Sequence, residues 1–191
     1  ARQIYRLFRW TGDNQVPVIS TLLRVRRGER GPLADVPHCV EDTEGERKLL
    51  RTVRPNRINL GLRNVTDLPR NLFDEYDQVI FEKRHADLFH HAAAERLITE
   101  LPNTTFILCG AGVAGGIVAA AVGLRNRGHS VVVAADAVYE VAPDRAPPAY
   151  ERMEAKGVVF APTDKIVVPV KRKRRPAVTV PAELYETPWK R

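Results

Sequence analysis

The stretch from Phe106 to Gly128, FILCGAGVAGGIVAAAVGLRNRG, constrains the fold of this chain more than any other segment. It opens with an apolar, β-prone run and passes through a turn loaded with glycine. It then continues as small and apolar residues, which Gly128 stops. A buried strand that leads through a tight turn into a helix is a building unit of parallel sheets. The stretch therefore predicts a fold in which strands and helices alternate.

The same alternation extends along most of the chain. Strands are predicted where Val and Ile dominate, at 16–25, 78–83, 104–110, 130–138 and 158–163. Helices are predicted at 2–10, 90–100, 115–127 and 146–157. Residues 26–75 are polar and rich in Gly and Pro, so regular structure there should be short. The pattern predicts an α/β fold of three layers, with helices on both faces of a mainly parallel, Rossmann-like sheet.

Functional residues in such a fold are expected where the strands end. Ligands of open parallel sheets bind beyond the carboxyl ends of the strands. In this chain those ends fall near Lys83, Gly110 and Asp136. We therefore expect the site in that region.

Length and charge restrict the organisation of the chain and its partners. With 191 residues, 44% of them hydrophobic, the chain is expected to form one globular domain. The net charge of +7 is concentrated at the ends. Residues 1–30 carry seven Arg against Asp13 and Glu29, and residues 165–191 carry eight Lys and Arg against two Glu. Basic ends on a mildly acidic body favour tethering, solubility or contact with a polyanion.

The apolar runs and the cysteines of the sequence indicate the cellular compartment of the protein. No uncharged apolar run reaches the length of about 18 residues that a membrane span needs, so none is expected. Cys39 and Cys109 are too few for a disulfide framework. The chain is therefore expected in a reducing, cytoplasmic setting.

Three segments, in this order along the chain, carry a resemblance to a known family. They are PHCVEDTEGERKL at 37–49, VIFEKRHADLF at 79–89 and GAGVAGGIVAAAVGLRNRGHSVVVAADAV at 110–138. They resemble, in turn, a segment common in nicotinamidases, a strand that ends in a catalytic lysine, and a nucleophile turn followed by a helix and a strand ending in Asp-Ala. The family is that of the isochorismatase-like hydrolases, which includes nicotinamidases and carbamoyl-amide hydrolases. The resemblance divides the chain into an isochorismatase-like domain, 1–166, and a basic C-terminal extension, 167–191.

The resemblance implies a role for Lys83 and an unusual residue at the nucleophile position. Lys83, with Phe89 six residues later, fits the catalytic lysine of the family, which would hold a substrate or transition-state anion. In most of the family a cysteine opens the helix, whereas here the alignment places Gly116 at that position. Isochorismatases proper, which cleave a vinyl ether, also carry glycine there and use acid–base chemistry without a covalent intermediate. The resemblance therefore implies acid–base hydrolysis of a small molecule if the protein is active.

Further site residues follow from the same resemblance. The backbone N–H groups of Val113 and Gly116 are expected to form an oxyanion-binding site at the start of the helix. Asp136 resembles a structural aspartate of the family. It is expected to support the site together with Phe89, without contacting the substrate. His38 and Thr43 resemble structural loop residues of the family.

The acid of the reaction has no counterpart in the sequence. In the family it is an aspartate at the end of a first strand, and that strand appears nowhere before the helix predicted at 2–10. Asp13 follows that helix and is not assigned the role. Two explanations stay open: the strand lies upstream of Ala1, or the protein has lost it.

No metal or other cofactor is expected. After the strand at 16–25, the sequence LLRVRRGERGPLAD lacks the Asp and two His with which metal-dependent nicotinamidases bind their metal. His85, His90 and His91 cluster near Lys83 without a Cys or carboxylate pattern, which favours surface histidines over a zinc site. Cys109, at the end of a buried strand, is interpreted as a packed core thiol.

Two functions stay open. The chain is either a hydrolase of the superfamily or a catalytically inactive relative that acts as a binding or assembly component. The resemblance also implies a homo-oligomer, and no contact with a membrane is expected. The β-prone segments of the tail could add a strand to a sheet edge. A polyanion could be contacted by the run of five cations Lys171, Arg172, Lys173, Arg174 and Arg175.

Overall fold

The computed structural model describes residues 1–31, 33–34 and 36–168. The strands are β1 (Val18–Leu23), β2 (Arg57–Leu60), β3 (Gln78–Lys83), β4 (Thr105–Ala111), β5 (Ser130–Tyr139) and β6 (Val159–Ala161). The helices are α1 (Arg2–Asp13), α2 (Leu72–Glu75), α3 (Ala92–Glu100), α4 (Val118–Asn126), α5 (Ala146–Ala155) and α6 (Thr163–Ile166). A single π-helical turn, Val113–Ile117, precedes α4, and short 3₁₀ turns include Leu50–Thr52 and Leu88–His90.

The strands form two parallel sheets of three strands each. Their orders are β1-β3-β2 and β4-β5-β6. The register of the first sheet places Leu23 of β1 beside Lys83 of β3. In the second sheet the β4–β5 register shifts between Leu108 and Gly110. Among the described residues, β1 and β4 each pair on one side only, and the apolar residues 106–110 of β4 stay half-exposed as a result.

Helices on both faces hold the two sheets together. On one face, Phe81 of β3 and Val133 of β5 share a single buried cluster with residues of α3, α4 and α5, including Leu97, Ala121 and Met153. On the other face, Leu7 of α1 packs against Ala134 and Ala137 of β5. Burial of these apolar faces is the main stabilising term. The predicted three-layer α/β fold with parallel strands is confirmed.

The structure refines the sequence-based prediction in several places. The expected single sheet is divided into two, since no described strand connects β1 with β4. The short strand β2 and the single-turn helix α2 lie in the segment for which only short elements were expected. None of the helices described is both long enough and apolar enough to span a bilayer. Residues 169–191, with the predicted strand addition and polyanion contact of the tail, lie outside the described residues.

Candidate functional site

Lys83 ends β3 and is buried, with only 7% of its surface exposed. Its Nζ donates hydrogen bonds to the carbonyl oxygens of His85, at 2.8 Å, and Ala86. Burial lowers the pKa of Lys83 to about 8, while the charges of Asp87 and Cys39 act in the opposite direction. An ammonium has three N–H donors, so one remains for another acceptor. Lys83 therefore offers an amine that titrates near neutral pH.

The glycine turn lies against the same loop. Gly112 adopts a left-handed conformation, φ +82°, and begins the π-helical turn, in which the Ile117 N–H donates to the Gly112 carbonyl at 3.0 Å. A Cβ built on Gly116 would lie 3.6 Å from the carbonyl oxygen of Ala86. Since that oxygen accepts from Lys83, the amine and the turn meet at one group. The structure thus brings Lys83 and Gly116 together.

A carboxylate that the sequence did not suggest occupies the start of the turn. The Ala114 N–H donates to Glu140 at 2.7 Å, and the amides of Val141 and Ala142 donate to the same side chain at 2.8 and 3.2 Å. Partial burial opposes ionisation, but these hydrogen bonds outweigh it and lower the pKa of Glu140. The expected oxyanion site at Val113 and Gly116 therefore has an internal anion bound at Ala114, one residue from Val113 and two from Gly116.

An open cavity of about 420 Å³ borders this arrangement. It lies between the loop 85–89 and α4, and Ala86 and Gly115 form part of its wall. Asp87 and Arg127 also line it, so both signs of charge face the space. Lys83 and Gly116 are not among the residues that line this cavity, so it adjoins their contact at Ala86 and does not enclose it.

Comparisons with known proteins identify the family of this chain. The sequence model of the isochorismatase domain matches residues 1–165. The chain belongs to the isochorismatase family. A comparison with curated protein sequences found no match.

Several solved structures share the fold of this chain. Nicotinamidase/pyrazinamidase PncA from Bacillus subtilis superposes with a TM-score of 0.61 at 19% identity, covering 84% of this chain and 85% of that protein. N-carbamoylsarcosine amidase from Thermoplasma acidophilum gives a TM-score of 0.57 at 14% identity, covering 85% and 80%. The MAR1 ribonuclease of Caenorhabditis elegans gives a TM-score of 0.56 at 15% identity. The match covers 86% of this chain but only 66% of the ribonuclease, which is less than two thirds of its length.

Two further residues that the family resemblance suggested are engaged in packing and capping. The Asp136 carboxylate accepts from both the N–H and the hydroxyl of Thr163, at 2.7 and 2.6 Å, at the first residue of α6. The Phe89 ring lies under the Arg127 guanidinium, 3.7 Å from its centroid, and fills the space where Gly123 lacks a side chain. Both hold neighbouring elements of the isochorismatase fold in place, and neither makes a hydrogen bond or ring contact with Lys83.

The three histidines near Lys83 do not converge. His85 and His90 stack with their centroids 3.7 Å apart, and the Nδ1 of His85 accepts from the Asp87 N–H at 3.0 Å. Burial and the neighbouring His90 lower the pKa of His85. His91 turns away and bonds the Gly61 carbonyl through Nε2 at 3.0 Å. Within the described ranges, no three His, Cys, Asp or Glu side chains are grouped so that they could hold a metal ion.

Neither cysteine stands at the turn of this isochorismatase-family chain. Cys109 packs beside the cluster around Leu7, and burial raises the pKa of its thiol to about 11, although Lys48 acts to lower it. Burial likewise raises the pKa of Cys39, against the charges of Lys83 and Arg24. Both groups are therefore neutral thiols at pH 7. Thr43 bonds the Val40 carbonyl at 2.7 Å, as a loop residue does, and His38 is exposed.

Proposed function

We propose that this protein hydrolyses a small molecule by acid–base chemistry, with Gly116 at the position where other family members carry their cysteine nucleophile. The proposal rests on one observation above all: the Lys83 amine and the turn at Gly116 meet at the Ala86 carbonyl. Isochorismatase-family proteins act on small-molecule substrates. A neutral, half-buried Cys109 in the preceding strand does not replace the missing nucleophile.

Lys83 is the group that we assign to proton transfer. A pKa of about 8 leaves about nine-tenths of the amine protonated at pH 7, close to the range in which a general acid works best. For a vinyl ether, the Lys83 ammonium gives its proton to the enol carbon. Water then adds to the oxocarbenium carbon and returns a proton to the amine. The resulting hemiketal separates into a carbonyl compound and an alcohol.

Gly116 suits a route in which water attacks directly. A glycine leaves space for water and substrate at the position of the nucleophile. Direct attack by water forms no covalent intermediate with the protein. When water attacks the carbonyl of an amide substrate, the backbone amides of the turn stabilise the negative charge that develops on oxygen. The oxocarbenium of the vinyl ether route is positively charged and is not stabilised by them. Asp136 and Phe89 contribute by fixing the ends of the neighbouring elements.

A second candidate is a catalytically inactive relative that serves as a binding or assembly component. It is favoured by Glu140, whose ionised carboxylate holds the Ala114 amide and would repel an oxyanion formed at the turn. An inactive relative also needs no counterpart of the aspartate that ends the first strand in other family members. Contact of the cations at 171–175 with a polyanion, a homo-oligomeric state and a cytoplasmic location belong to the proposal in either case.

The test is a turnover screen of the full chain against vinyl ethers and small amides. Lys83→Met should lower kcat at least about 100-fold on any substrate found, because loss of a general acid typically lowers the rate by about 10² to 10⁴. Lys156→Met removes an exposed lysine and serves as the matched control, which should leave kcat unchanged. Undiminished turnover by Lys83→Met would refute the assignment. Absence of turnover of every compound would favour the binding component.

A further inference from the structure

The cavity between the loop 85–89 and α4 has an apolar wall. Val118 and Val122, one helical turn apart on α4, line it and are 6% and 7% exposed. Ala119 lies on the same wall, where its small side chain leaves space beside the helix. From Ala114 to Val122 this wall extends about 12 Å, since each helical residue rises about 1.5 Å. A slender apolar group can therefore lie along α4.

Hydrogen-bond donors without a protein partner also face this cavity. Asn126 ends α4, Arg152 lies in the last turn of α5, and both side chains line the space. Both are exposed, and among the described residues neither side chain forms a hydrogen bond or an ion pair. His85 lines the cavity too, and its Nδ1 accepts from the Asp87 N–H, which leaves Nε2 as a donor. The polar part of the lining thus offers mainly donors.

The charges that line the cavity favour an anion. Asp87 interacts electrostatically with the buried Lys83 ammonium, so the protein itself supplies its counter-charge. Arg127 donates to the Glu95 carboxylate through Nε, at 3.0 Å, and through Nη2. Arg152 has no such carboxylate in the part of the chain that the structure describes. One positive charge in the lining is therefore left without a counter-charge.

We propose that this cavity binds a small monocarboxylate with an apolar body. The carboxylate accepts hydrogen bonds from Arg152 and Asn126, and the apolar body lies along Val118, Ala119 and Val122. The volume of about 420 Å³ falls within the range of roughly 300–1,000 Å³ that is usual for small-molecule sites. Since neither Lys83 nor Gly116 lines the cavity, the inference does not depend on the proposed hydrolysis.

The experiment is titration calorimetry of the full chain with octanoate. Octanol and octylammonium are the matched neutral and cationic probes, and acetate presents the carboxylate alone. Octanoate should bind about fivefold or more tightly than octanol or octylammonium, because a partly exposed arginine adds about 1 kcal/mol for an anion. Acetate should bind at least about 100-fold more weakly than octanoate, because it lacks the apolar chain. Octanol or octylammonium binding as tightly as octanoate, or no binding of octanoate, would overturn the proposal.

Three variants locate the binding site. Arg152→Gln should weaken octanoate binding about fivefold and leave octanol binding within about twofold. The control Arg63→Gln removes the same charge from an exposed position outside the cavity and should change octanoate affinity less than about twofold. Equal losses in these two variants would overturn the proposal.

Ala119→Phe fills the apolar part of the cavity and should abolish binding of both octanoate and octanol. Thermal unfolding checks that this variant is folded. Octanoate binding that persists in folded Ala119→Phe would overturn the proposal, because the ligand would then lie elsewhere. The comparison of Arg152→Gln with Arg63→Gln decides the matter even if Ala119→Phe does not fold, since both arginines are exposed.

Discussion

The Lys83 amine and the backbone of Gly116 both approach a single carbonyl group, that of Ala86. Lys83 donates a hydrogen bond to this oxygen, which stands 3.6 Å from where a Cβ on Gly116 would be. The two residues are 33 positions apart: Lys83 ends β3, and Gly116 lies in the π-helical turn after β4, so their approach depends on the packing of distant segments.

Replacing Lys83 by methionine should stabilise the protein at pH 7. The pKa of Lys83 falls from 10.5 to about 8 on folding, so burial of the ammonium costs free energy below pH 8. Loss of the hydrogen bonds to His85 and Ala86 offsets part of the gain, so the free energy of unfolding should rise by about 1–2 kcal/mol. Urea unfolding of both proteins at pH 7 measures this difference.

The pH dependence supplies the control for this variant. Between pH 8 and 10.5 the folded wild type has lost the Lys83 proton while the unfolded chain still binds it, so wild-type stability rises relative to Lys83→Met. The difference between the two proteins should shrink across that range. A difference that stays constant from pH 7 to pH 10.5 would show that the amine is not desolvated.

Gly123→Ala should destabilise the protein by about 2 kcal/mol or more, because the added Cβ overlaps the Phe89 ring. The matched control is Gly116→Ala, whose Cβ meets Ala86 at ordinary van der Waals distance. It should shift stability by less than about 1 kcal/mol. Thermal unfolding of both variants measures the contrast. Equal effects would mean that Phe89 does not hold the loop 85–89 onto α4.

Glu140→Gln should loosen the glycine turn. The lost charge weakens the hydrogen bonds from Ala114, Val141 and Ala142, at a cost of about 1 kcal/mol at pH 7. Because folding lowers the pKa of Glu140, its contribution is complete above the ordinary value of 4.5 and is lost as pH falls through the lower folded value. Unfolding curves of the two proteins should therefore converge in acid. A gap that persists at pH 2 would contradict this account.

Cys109 should resist alkylation by iodoacetamide at pH 8 in the folded protein. A pKa of about 11 leaves about one thiolate in a thousand at that pH. Lys48→Met should slow the reaction further, since the lysine charge lowers the thiol pKa. Peptide mass spectrometry follows the modification, with the urea-unfolded chain as the fully reactive reference. Rapid labelling of folded Cys109 would mark it as a reactive thiol.

Local signals in the sequence predicted much of the fold, including the positions of Lys83 and of the glycine turn. QVIFEK is a continuous β-prone run, so β3 was predicted with its observed bounds and Lys83 at its end. The glycines at 110 and 112 marked the turn, and both have positive φ. Gly128, also at positive φ, follows the end of α4 by two residues.

Contacts between distant segments could not be read from the sequence. Glu140 reaches Ala114 only because β4 and β5 pair so that Ala111 lies beside Tyr139. The Phe89 ring meets Gly123 because the loop after β3 folds over α4. The division into two sheets depends on which strands pair with each other, and the local β-propensity of a segment does not predict its pairing partner.

The most direct test of the central contact is the thiol pKa of the variant Gly116→Cys, read from the pH dependence of alkylation at residue 116 by peptide mass spectrometry. The amine of Lys83, held at Ala86, should bring this pKa below the ordinary value of about 8.5. Adding Lys83→Met should raise it by about one unit or more. The same pKa with and without Lys83 would contradict the account, because the amine and the turn would then not share a site.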